Sequence, residues 1–170
     1  MSKPIFLIGY MGCGKSSVGK KLAKRLKLDF IDIDLSIEQM TGKSIARIFD
    51  QEGEDQFRQL ERSILVSLCS RSNIVVATGG GAPCFFDNMM LMNKSGTTVY
   101  IKMHPASLTD RILSSDIERP LVRKFGKEDM PVYIAQHLKE REVFYNTAKI
   151  TIKGENLNIE ELEHLIRNRR

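Results

Sequence analysis

The sequence predicts a single α/β domain built on a parallel β-sheet, and three observations carry that prediction. Short apolar runs alternate with longer stretches of helical periodicity along the 170 residues. The run at residues 74–77 is continuously apolar, which is typical of a strand covered by helices on both faces. Glycine-rich turns follow two of these runs. Because no internal repeat or linker is visible, we expect one domain that spans residues 1–170.

The first half of the chain is expected to hold three strands and four helices. Strands are predicted at residues 4–9, 30–33 and 73–77, and helices at residues 15–28, 35–40, 44–51 and 54–70. In the first helix, Val18, Leu22 and Leu26 recur on one face. Gly42 should end the second helix in the left-handed conformation.

The second half is expected to alternate in the same way. Strands are predicted at residues 97–102 and 149–153, and helices at residues 85–92, from Ser107 as N-cap, at 131–144, and after Asn158 as N-cap. Between residues 113 and 130 the apolar period is lost, and Gly126 and two prolines interrupt it. This segment is therefore predicted to be a surface loop or a lid.

Charge and composition restrict the class of protein. The chain has 26 basic and 21 acidic residues, a net charge of +5 and a pI of about 9.2. With 42% apolar and 28% charged residues it has the composition of a soluble globular protein. The first 28 residues hold seven basic and no acidic side chains, so the surplus belongs to the first helix and the loop before it. We therefore expect no nucleic-acid partner.

No apolar run approaches the roughly 20 residues of a membrane span, and the run at residues 5–8 is too short for the core of a signal peptide. A cytoplasmic protein with no membrane partner is expected. The three cysteines form no Cys-x-x-Cys pair, which favours reduced thiols. The three histidines lie far apart, so no zinc site is expected.

A phosphate-binding motif lies between the first predicted strand and the first predicted helix. The residues from Gly9 to Ser16 read Gly-Tyr-Met-Gly-Cys-Gly-Lys-Ser and fit the pattern GxxxxGK[ST]. Its glycines let the backbone curl, so that successive N–H groups point at phosphate oxygens. The N–H groups concerned are those of Gly12, Cys13, Gly14, Lys15, Ser16 and Ser17. The Lys15 ammonium would neutralise the β- and γ-phosphates, and the Ser16 hydroxyl would ligate Mg²⁺.

Two aspartates follow the second predicted strand. Strand alternation places Asp32 and Asp34 on the same side, at the carboxyl edge of the sheet where open α/β folds bind ligands. Such a pair could hold magnesium-bound water or orient a hydroxyl nucleophile. The alternative is a pair of solvated turn carboxylates.

Charged residues and glycines further along the chain are ambiguous when taken singly. Arg58 and Glu61 lie three apart on one helix face, as an orienting ion pair or as an ordinary surface pair. The glycines at residues 79–81 suit a backbone that approaches a ligand closely. Arg119 and Arg141 would each, alone, be interpreted as solvated charges.

In combination these motifs resemble the shikimate kinase family. The resemblance rests, in chain order, on the loop from Gly9 to Ser17, Asp32-Ile33-Asp34, Gly53-Glu54 with Phe57-Arg58 and Glu61, Ala77-Thr78-Gly79-Gly80-Gly81, Arg119-Pro120-Leu121, and Arg141 with Tyr145. It extends from residue 4 to about residue 153 without a large gap. The phosphate loop is common to many NTPases, whereas the other motifs in this order are far more specific.

The resemblance implies a P-loop fold of the nucleoside-monophosphate-kinase type, with five parallel strands in the order 2-3-1-4-5. It also implies a substrate-binding lobe at about residues 33–61 and a lid at about residues 112–128. The implied reaction transfers a phosphoryl group from ATP to shikimate and gives shikimate 3-phosphate and ADP. This reaction is a step towards chorismate and the aromatic amino acids.

The resemblance assigns the acceptor site to four residues. Asp34 would hold the ring hydroxyls and accept a proton, Arg58 and Arg141 would bind the carboxylate, and the Gly80 N–H would add a hydrogen bond. Two arginines and an aspartate suit a carboxylated polyol better than a nucleotide base.

The nucleotide site is assigned in the same way. Lys15 and Arg119 would surround the γ-phosphoryl group, and Mg²⁺ would lie on Ser16 and, through water, on Asp32. Arg111 would stack on adenine, although the segment after it is less basic and poorer in glycine than is usual in the family.

Two other functions remain open from the sequence. One is a different small-molecule kinase of the same fold, such as a gluconate kinase or a nucleoside-monophosphate kinase. The other is an ATP-binding module without transfer activity. In each case we expect a monomer.

Overall fold

The structure is a computed structural model that describes residues 2–115 and 120–169, with the side chains of residues 120–125 left aside. Five parallel strands form one sheet in the order β2-β3-β1-β4-β5, which confirms the predicted fold class. The strands are β1 (Ile5–Ile8), β2 (Asp29–Asp32), β3 (Ile74–Ala77), β4 (Thr97–Lys102) and β5 (Ile150–Lys153).

Seven α-helices and one 3₁₀ helix are present in the described residues. They are α1 (Lys15–Leu26), α2 (Ile33–Thr41), α3 (Ile45–Cys69), the 3₁₀ helix Ala82–Cys84, α4 (Asn88–Ser95), α5 (Pro105–Leu113), α6 (Pro120–Tyr145) and α7 (Ile159–Arg167). Helix α1 packs on β2, β3 and α7, while α3 packs on α2 and α4, and α5 packs on α6. None of the described helices combines the length and the apolar composition that crossing a bilayer requires.

The core is centred on β1 and β3, whose side chains are all buried. Parallel pairing aligns Leu7 of β1 with Ala77 of β3, so these two strands end at the same edge of the sheet. β2 pairs with the other side of β3 and ends opposite Ala77 as well. The loops after these three strands therefore meet at one edge, which is where the sequence motifs lie.

The end of β2 differs from the prediction. The strand stops at Asp32, whose side chain accepts hydrogen bonds from the N–H groups of Asp34 (3.1 Å) and Leu35 (3.4 Å) and so caps α2. Asp34 lies in the first turn of α2 rather than on a strand. The prediction that strand alternation aligns the two carboxylates is therefore wrong, although both remain at the predicted edge.

The predicted helices at residues 44–51 and 54–70 form one long helix with a break. At Gly53 the backbone leaves the helical conformation, with φ 83° and ψ 168°. Gly42 ends α2 with φ 66°, and the Asn158 side chain caps α7, as predicted.

Three other boundaries were predicted wrongly. Residues 85–87 are not helical, because a 3₁₀ turn precedes them and α4 begins only at Asn88. Ser107 is not an N-cap, since α5 already begins at Pro105 and the His104 ring accepts from the Ala106 N–H. The predicted loop is wrong for residues 120–130, which are helical apart from a break at Gly126. Pro131 lies inside the helical stretch that follows this break, five residues after Gly126.

Candidate active site

The phosphate-binding loop connects β1 to α1 and is shaped by glycines. Gly12 and Gly14 have φ of 81° and 92°, a region that L-residues other than glycine rarely occupy. No described side chain caps α1, so the N–H groups of its first turn face the loop at the positive end of the helix. This arrangement suits a phosphate group.

Lys15 lies over this loop. Its ammonium donates hydrogen bonds to the carbonyl oxygens of Gly9 (2.8 Å) and Tyr10 (3.0 Å). Cys13 is buried, with its sulfur 3.8 Å from the same ammonium. The lysine is therefore at the loop, as predicted, and the cysteine side chain belongs to the core.

Ser16 and Asp32 are in direct contact. The Ser16 hydroxyl donates to Asp32 Oδ2 at 2.6 Å, while Asp32 Oδ1 caps α2. A hydroxyl and a carboxylate are oxygen ligands of the kind that Mg²⁺ prefers, and Mg²⁺ usually completes its shell with water and nucleotide phosphates. Within the described residues no group of three or more His, Cys, Asp or Glu side chains is placed to hold a metal. The hydroxyl and the carboxylate of this pair are two oxygen ligands that fit Mg²⁺.

Arg58 and Glu61 form a buried ion pair on α3. Arg58 Nη1 lies 2.8 Å from Glu61 Oε2, and the two residues are 7% and 0% exposed. Glu54 holds the same guanidinium from one turn earlier, at 3.0 Å. The Phe85 ring also lies under it, with Arg58 Cζ 4.0 Å from the ring centroid. The interpretation of the pair as an ordinary surface ion pair is therefore wrong.

The glycines at residues 79–81 allow charged side chains to lie against the backbone. A Cβ on Gly81 would come within 2.5 Å of the Arg58 guanidinium. A Cβ on Gly79 would collide with Glu61 and come within 3.1 Å of Asp34 Oδ1. One on Gly80 would lie 3.4 Å from Arg141 Nη1. The triple glycine therefore creates the space into which four charged side chains converge.

Three polar atoms in this space are buried and have no hydrogen-bond partner within the described residues. They are Asp34 Oδ1, Glu61 Oε1 and Arg141 Nη1. Buried polar atoms are nearly always paired in folded proteins, so such a cluster indicates a place for a ligand. A ligand with both hydroxyl and carboxylate groups would pair with all three.

The two carboxyl groups in the cluster are weaker acids than usual. Burial raises the pKa of Asp34, the negative charge of Asp32 adds to this, and the charges of Lys15 and Arg58 oppose it. Burial also raises the pKa of Glu61 against the opposing effect of Arg58. A carboxylate with a raised pKa is a better proton acceptor, which suits Asp34 to activate a hydroxyl.

Arg141 extends from α6 towards the same place. Its Cζ lies 5.5 Å from the centroid of the Tyr10 ring, and Tyr10 is hydrogen-bonded to His137 Nδ1 at 2.9 Å. The Tyr145 hydroxyl donates to the Gly80 carbonyl at 2.5 Å and so fixes the glycine turn. Sequence reasoning missed Tyr10 and His137, and the spacing of His137 one helical turn before Arg141 was the available signal.

The remaining predicted residues lie near the nucleotide loop or outside the described part. Arg111 is exposed on α5, and its Nη1 would lie 3.5 Å from a Cβ on Gly14. Ile112, the next residue, lies over Gly12. Arg119 is outside the described residues. Ser17 is an exposed residue in the first turn of α1. The structure places Lys15, Ser16, Asp32, Asp34, Arg58, Gly80 and Arg141 at one edge of the sheet, and their functional roles stay predictions.

The fold and this site define a P-loop kinase of the nucleoside-monophosphate-kinase type, with a phosphate loop after β1 and a cluster of converging charged side chains beside β2 and β3. A family model described as shikimate kinase matches residues 11–168. The chain belongs to the shikimate kinase family and is therefore an ATP-dependent kinase.

Individual shikimate kinases are similar to this chain in sequence and structure over nearly its whole length. A shikimate kinase of Parabacteroides distasonis is 43% identical over 166 residues, which cover 98% of this chain and 96% of the relative. The crystal structure of shikimate kinase from Bacteroides thetaiotaomicron superposes with a TM-score of 0.92 at 36% identity, over 97% of this chain and 98% of that one. Shikimate kinase from Acinetobacter baumannii in complex with shikimate gives 0.89 at 34% identity, over 100% and 96%.

Proposed function

We propose that the chain transfers the γ-phosphoryl group of Mg²⁺-bound ATP to the 3-hydroxyl of shikimate, with the converging side chains described above as its acceptor site. A bond forms between the shikimate oxygen and the γ-phosphorus, and the bond from that phosphorus to the β,γ-bridging oxygen breaks. ADP leaves with the electron pair, and the hydroxyl proton passes to Asp34. The observation that carries the proposal is the cluster of unpaired buried atoms on Asp34, Glu61 and Arg141.

In the acceptor site, Arg58 and Arg141 bind the carboxylate of shikimate, and the Gly80 N–H adds a hydrogen bond. Asp34 holds the ring hydroxyls through its unpaired Oδ1. Arg58 is held rigidly by Glu54 and Glu61, so little side-chain freedom is lost when it binds an anion. Because the two arginines come from α3 and α6, guanidinium groups from two different helices bind the carboxylate.

In the nucleotide site, the N–H groups of residues 12–17 cradle the phosphates. Lys15 exchanges its two carbonyl partners for phosphate oxygens, which costs little because its hydrogen bonds are replaced rather than lost. Ser16 would ligate Mg²⁺ directly, and Asp32 would hold it through water. The cation would neutralise charge on the phosphates during transfer.

Two arginines complete this site. Arg111 stacks on the adenine, supported by its position beside Gly14. Arg119 approaches the γ-phosphoryl group as part of a lid at about residues 112–128, as the family resemblance implies. A substrate-binding lobe at about residues 33–61 carries Asp34 and Arg58. All the proposed side chains come from one chain, so the proposed site needs no second subunit. The proposal includes a monomer in the cytoplasm, with ATP and shikimate as its partners and without nucleic acid or membrane.

The acceptor assignment is tested with Arg58→Ala. Loss of the guanidinium should raise the KM for shikimate about 10- to 100-fold and change the KM for ATP less than about 3-fold, because a charged hydrogen bond contributes about 1.5–3 kcal/mol. Arg47→Ala is the matched control, since Arg47 is an exposed arginine on the same helix. Equal increases in both KM values would show that Arg58 is only structural.

The metal assignment is tested by removing divalent cations. EDTA should abolish transfer, and Mg²⁺ should restore it. Asp32→Asn should raise the Mg²⁺ concentration needed for half-maximal rate, because asparagine keeps the helix cap but loses the charge. Asp29→Asn, at an exposed aspartate of the same strand, is the control. An unchanged Mg²⁺ requirement in Asp32→Asn would contradict the assignment.

A further inference from the structure

Tyr10 belongs to the phosphate-binding loop by its backbone but not by its side chain. Its carbonyl accepts from the Lys15 ammonium (3.0 Å) and from the Cys13 N–H (3.3 Å), which are both groups of the loop. The side chain is 1% exposed and leaves the loop in the direction of α6. There the Tyr10 hydroxyl is hydrogen-bonded to His137 Nδ1 at 2.9 Å, and the two rings meet edge to face.

The same aromatic ring also contacts the arginine assigned to the acceptor carboxylate. Arg141 Cζ lies 5.5 Å from the centroid of the Tyr10 ring, within range of a cation–π interaction. Arg141 follows His137 by one helical turn, so the hydroxyl and the ring of Tyr10 hold successive turns of α6. On its other side His137 packs on the Tyr133 ring, with centroids 5.1 Å apart.

The hydrogen-bonded pair of Tyr10 and His137 adds no charge to the acceptor site near neutral pH. Burial and the Arg141 charge lower the pKa of His137 to about 4. Burial also raises the pKa of Tyr10, so its hydroxyl keeps its proton. A neutral pair can restrain the guanidinium without competing with the substrate for it, and Arg141 Nη1 has no hydrogen-bond partner within the described residues.

We propose that Tyr10 and His137 are positioning residues that hold Arg141 against the phosphate-binding loop. The carboxylate clamp, which is the pair Arg58 and Arg141, would then be held in place by the same loop that binds ATP. This inference rests on the proposed role of Arg141 as a ligand of the shikimate carboxylate. It assigns a function to a motif position that phosphate binding does not use, because only the backbone of Tyr10 takes part in the loop.

The test is Tyr10→Phe, which removes the hydroxyl and keeps the ring. The Kd of shikimate by calorimetry, and its KM, should rise about 3- to 10-fold, the effect of one lost hydrogen bond. The KM for ATP should change less than about 2-fold. If Tyr10 only supports the fold of its own loop, the KM for ATP will rise at least as much, and that result overturns the proposal.

Tyr100→Phe is the matched control. Tyr100 is also a buried tyrosine, and its hydroxyl donates to Glu142 of the same helix at 3.0 Å. This variant should lose a comparable amount of stability and keep the KM for shikimate. If Tyr100→Phe raises the KM for shikimate equally, any hydrogen bond between α6 and the core affects shikimate binding in this way. That result overturns the specific role of Tyr10. His137→Phe removes the hydrogen bond between Tyr10 and His137 without altering the phosphate-binding loop. It should likewise raise the KM for shikimate and leave the KM for ATP nearly unchanged.

A mutant cycle separates this inference from the proposed function. In an Arg141→Ala background, Tyr10→Phe should cause no further loss of shikimate affinity, because the residue it positions is gone. If Arg141→Ala weakens shikimate binding and the two effects simply add, the positioning role is wrong and the clamp stands. If Arg141→Ala leaves shikimate binding unchanged, the clamp itself is wrong, and the positioning role falls with it.

Discussion

The buried Asp34 carboxylate lowers the stability of the ligand-free protein. Its Oδ1 is buried and has no hydrogen-bond partner within the described residues, and the charge of Asp32 lies nearby. A buried carboxylate oxygen without a hydrogen-bond partner destabilises the ligand-free protein. Because the pKa of Asp34 is raised in the folded state, the folded protein holds this proton more tightly than the unfolded chain does. Stability from this group is therefore present at low pH and is lost as the pH rises through the raised pKa.

Asp34→Asn should therefore stabilise the ligand-free protein and inactivate it. We expect the free energy of unfolding at pH 8 to rise by about 0.5–2 kcal/mol, with kcat strongly reduced. The gain should shrink as the pH is lowered towards 4, because the raised pKa of Asp34 favours uptake of a proton by the wild-type carboxyl as the pH falls. Urea unfolding at both pH values measures this, with Asp29→Asn as the exposed control. A loss of stability at pH 8 would contradict the account of Asp34.

The residue scale also shows where the sequence was informative. The phosphate-loop glycines and Lys15 follow from a motif whose spacing has a mechanical cause, and the structure places them at one site. Arg58 and Glu61 were ambiguous, because helical spacing does not reveal burial. Tyr10 and His137 are 127 positions apart, and no local pattern connects them. Such pairings depend on how α6 packs, which a single sequence does not contain.

Helix α3 carries Arg58, which we propose as an acceptor ligand, and the shape of the helix depends on one glycine. At Gly53 the backbone adopts φ 83° and ψ 168°, a conformation that is essentially restricted to glycine. A Cβ there would meet nothing within 4 Å, so the constraint lies in the backbone itself. The break directs the second half of the helix, with Arg58 and Glu61, towards the glycine turn.

Gly53→Ala should destabilise the protein by about 1–3 kcal/mol and raise the KM for shikimate. The expected loss of stability comes from backbone strain and not from a steric collision. Gly42→Ala is therefore the appropriate comparison, because it too changes a glycine of positive φ. A Cβ on Gly42 also meets nothing within 4 Å, but its left-handed conformation is less restrictive. Urea unfolding of both variants gives the order. A change of only a few tenths of a kcal/mol in Gly53→Ala would show that the break needs no glycine.

At the scale of elements, the sequence predicted strands better than helix starts. Buried β-strands of parallel sheets are continuous apolar runs, and the predicted 97–102 strand agrees with β4 at both ends. The start of α5 was missed because a proline occupies its first turn and the cap is a histidine rather than a serine. The placement of Asp34 was wrong because Asp32 serves as a cap and ends β2.

For the whole molecule, the strand order is what assembles the site. β1 lies between β3 and β4, and β2 lies outside β3, so the phosphate loop, the triple glycine and the two aspartates follow neighbouring strands. Helices α3 and α6 then bring one arginine each from distant parts of the chain. Under the proposed function, the two arginines and the aspartate beside the phosphate loop select an acceptor that is both an anion and a polyol.

The most direct test of this account is an ADP-release assay over a panel of acceptors with Mg²⁺ and ATP. The panel contains shikimate, gluconate and a nucleoside monophosphate, and an assay without acceptor measures background hydrolysis. We predict turnover with shikimate and rates near background with the other two. Turnover of gluconate or the nucleoside monophosphate, with none for shikimate, would contradict the central claim that the converging arginines and Asp34 form a shikimate site.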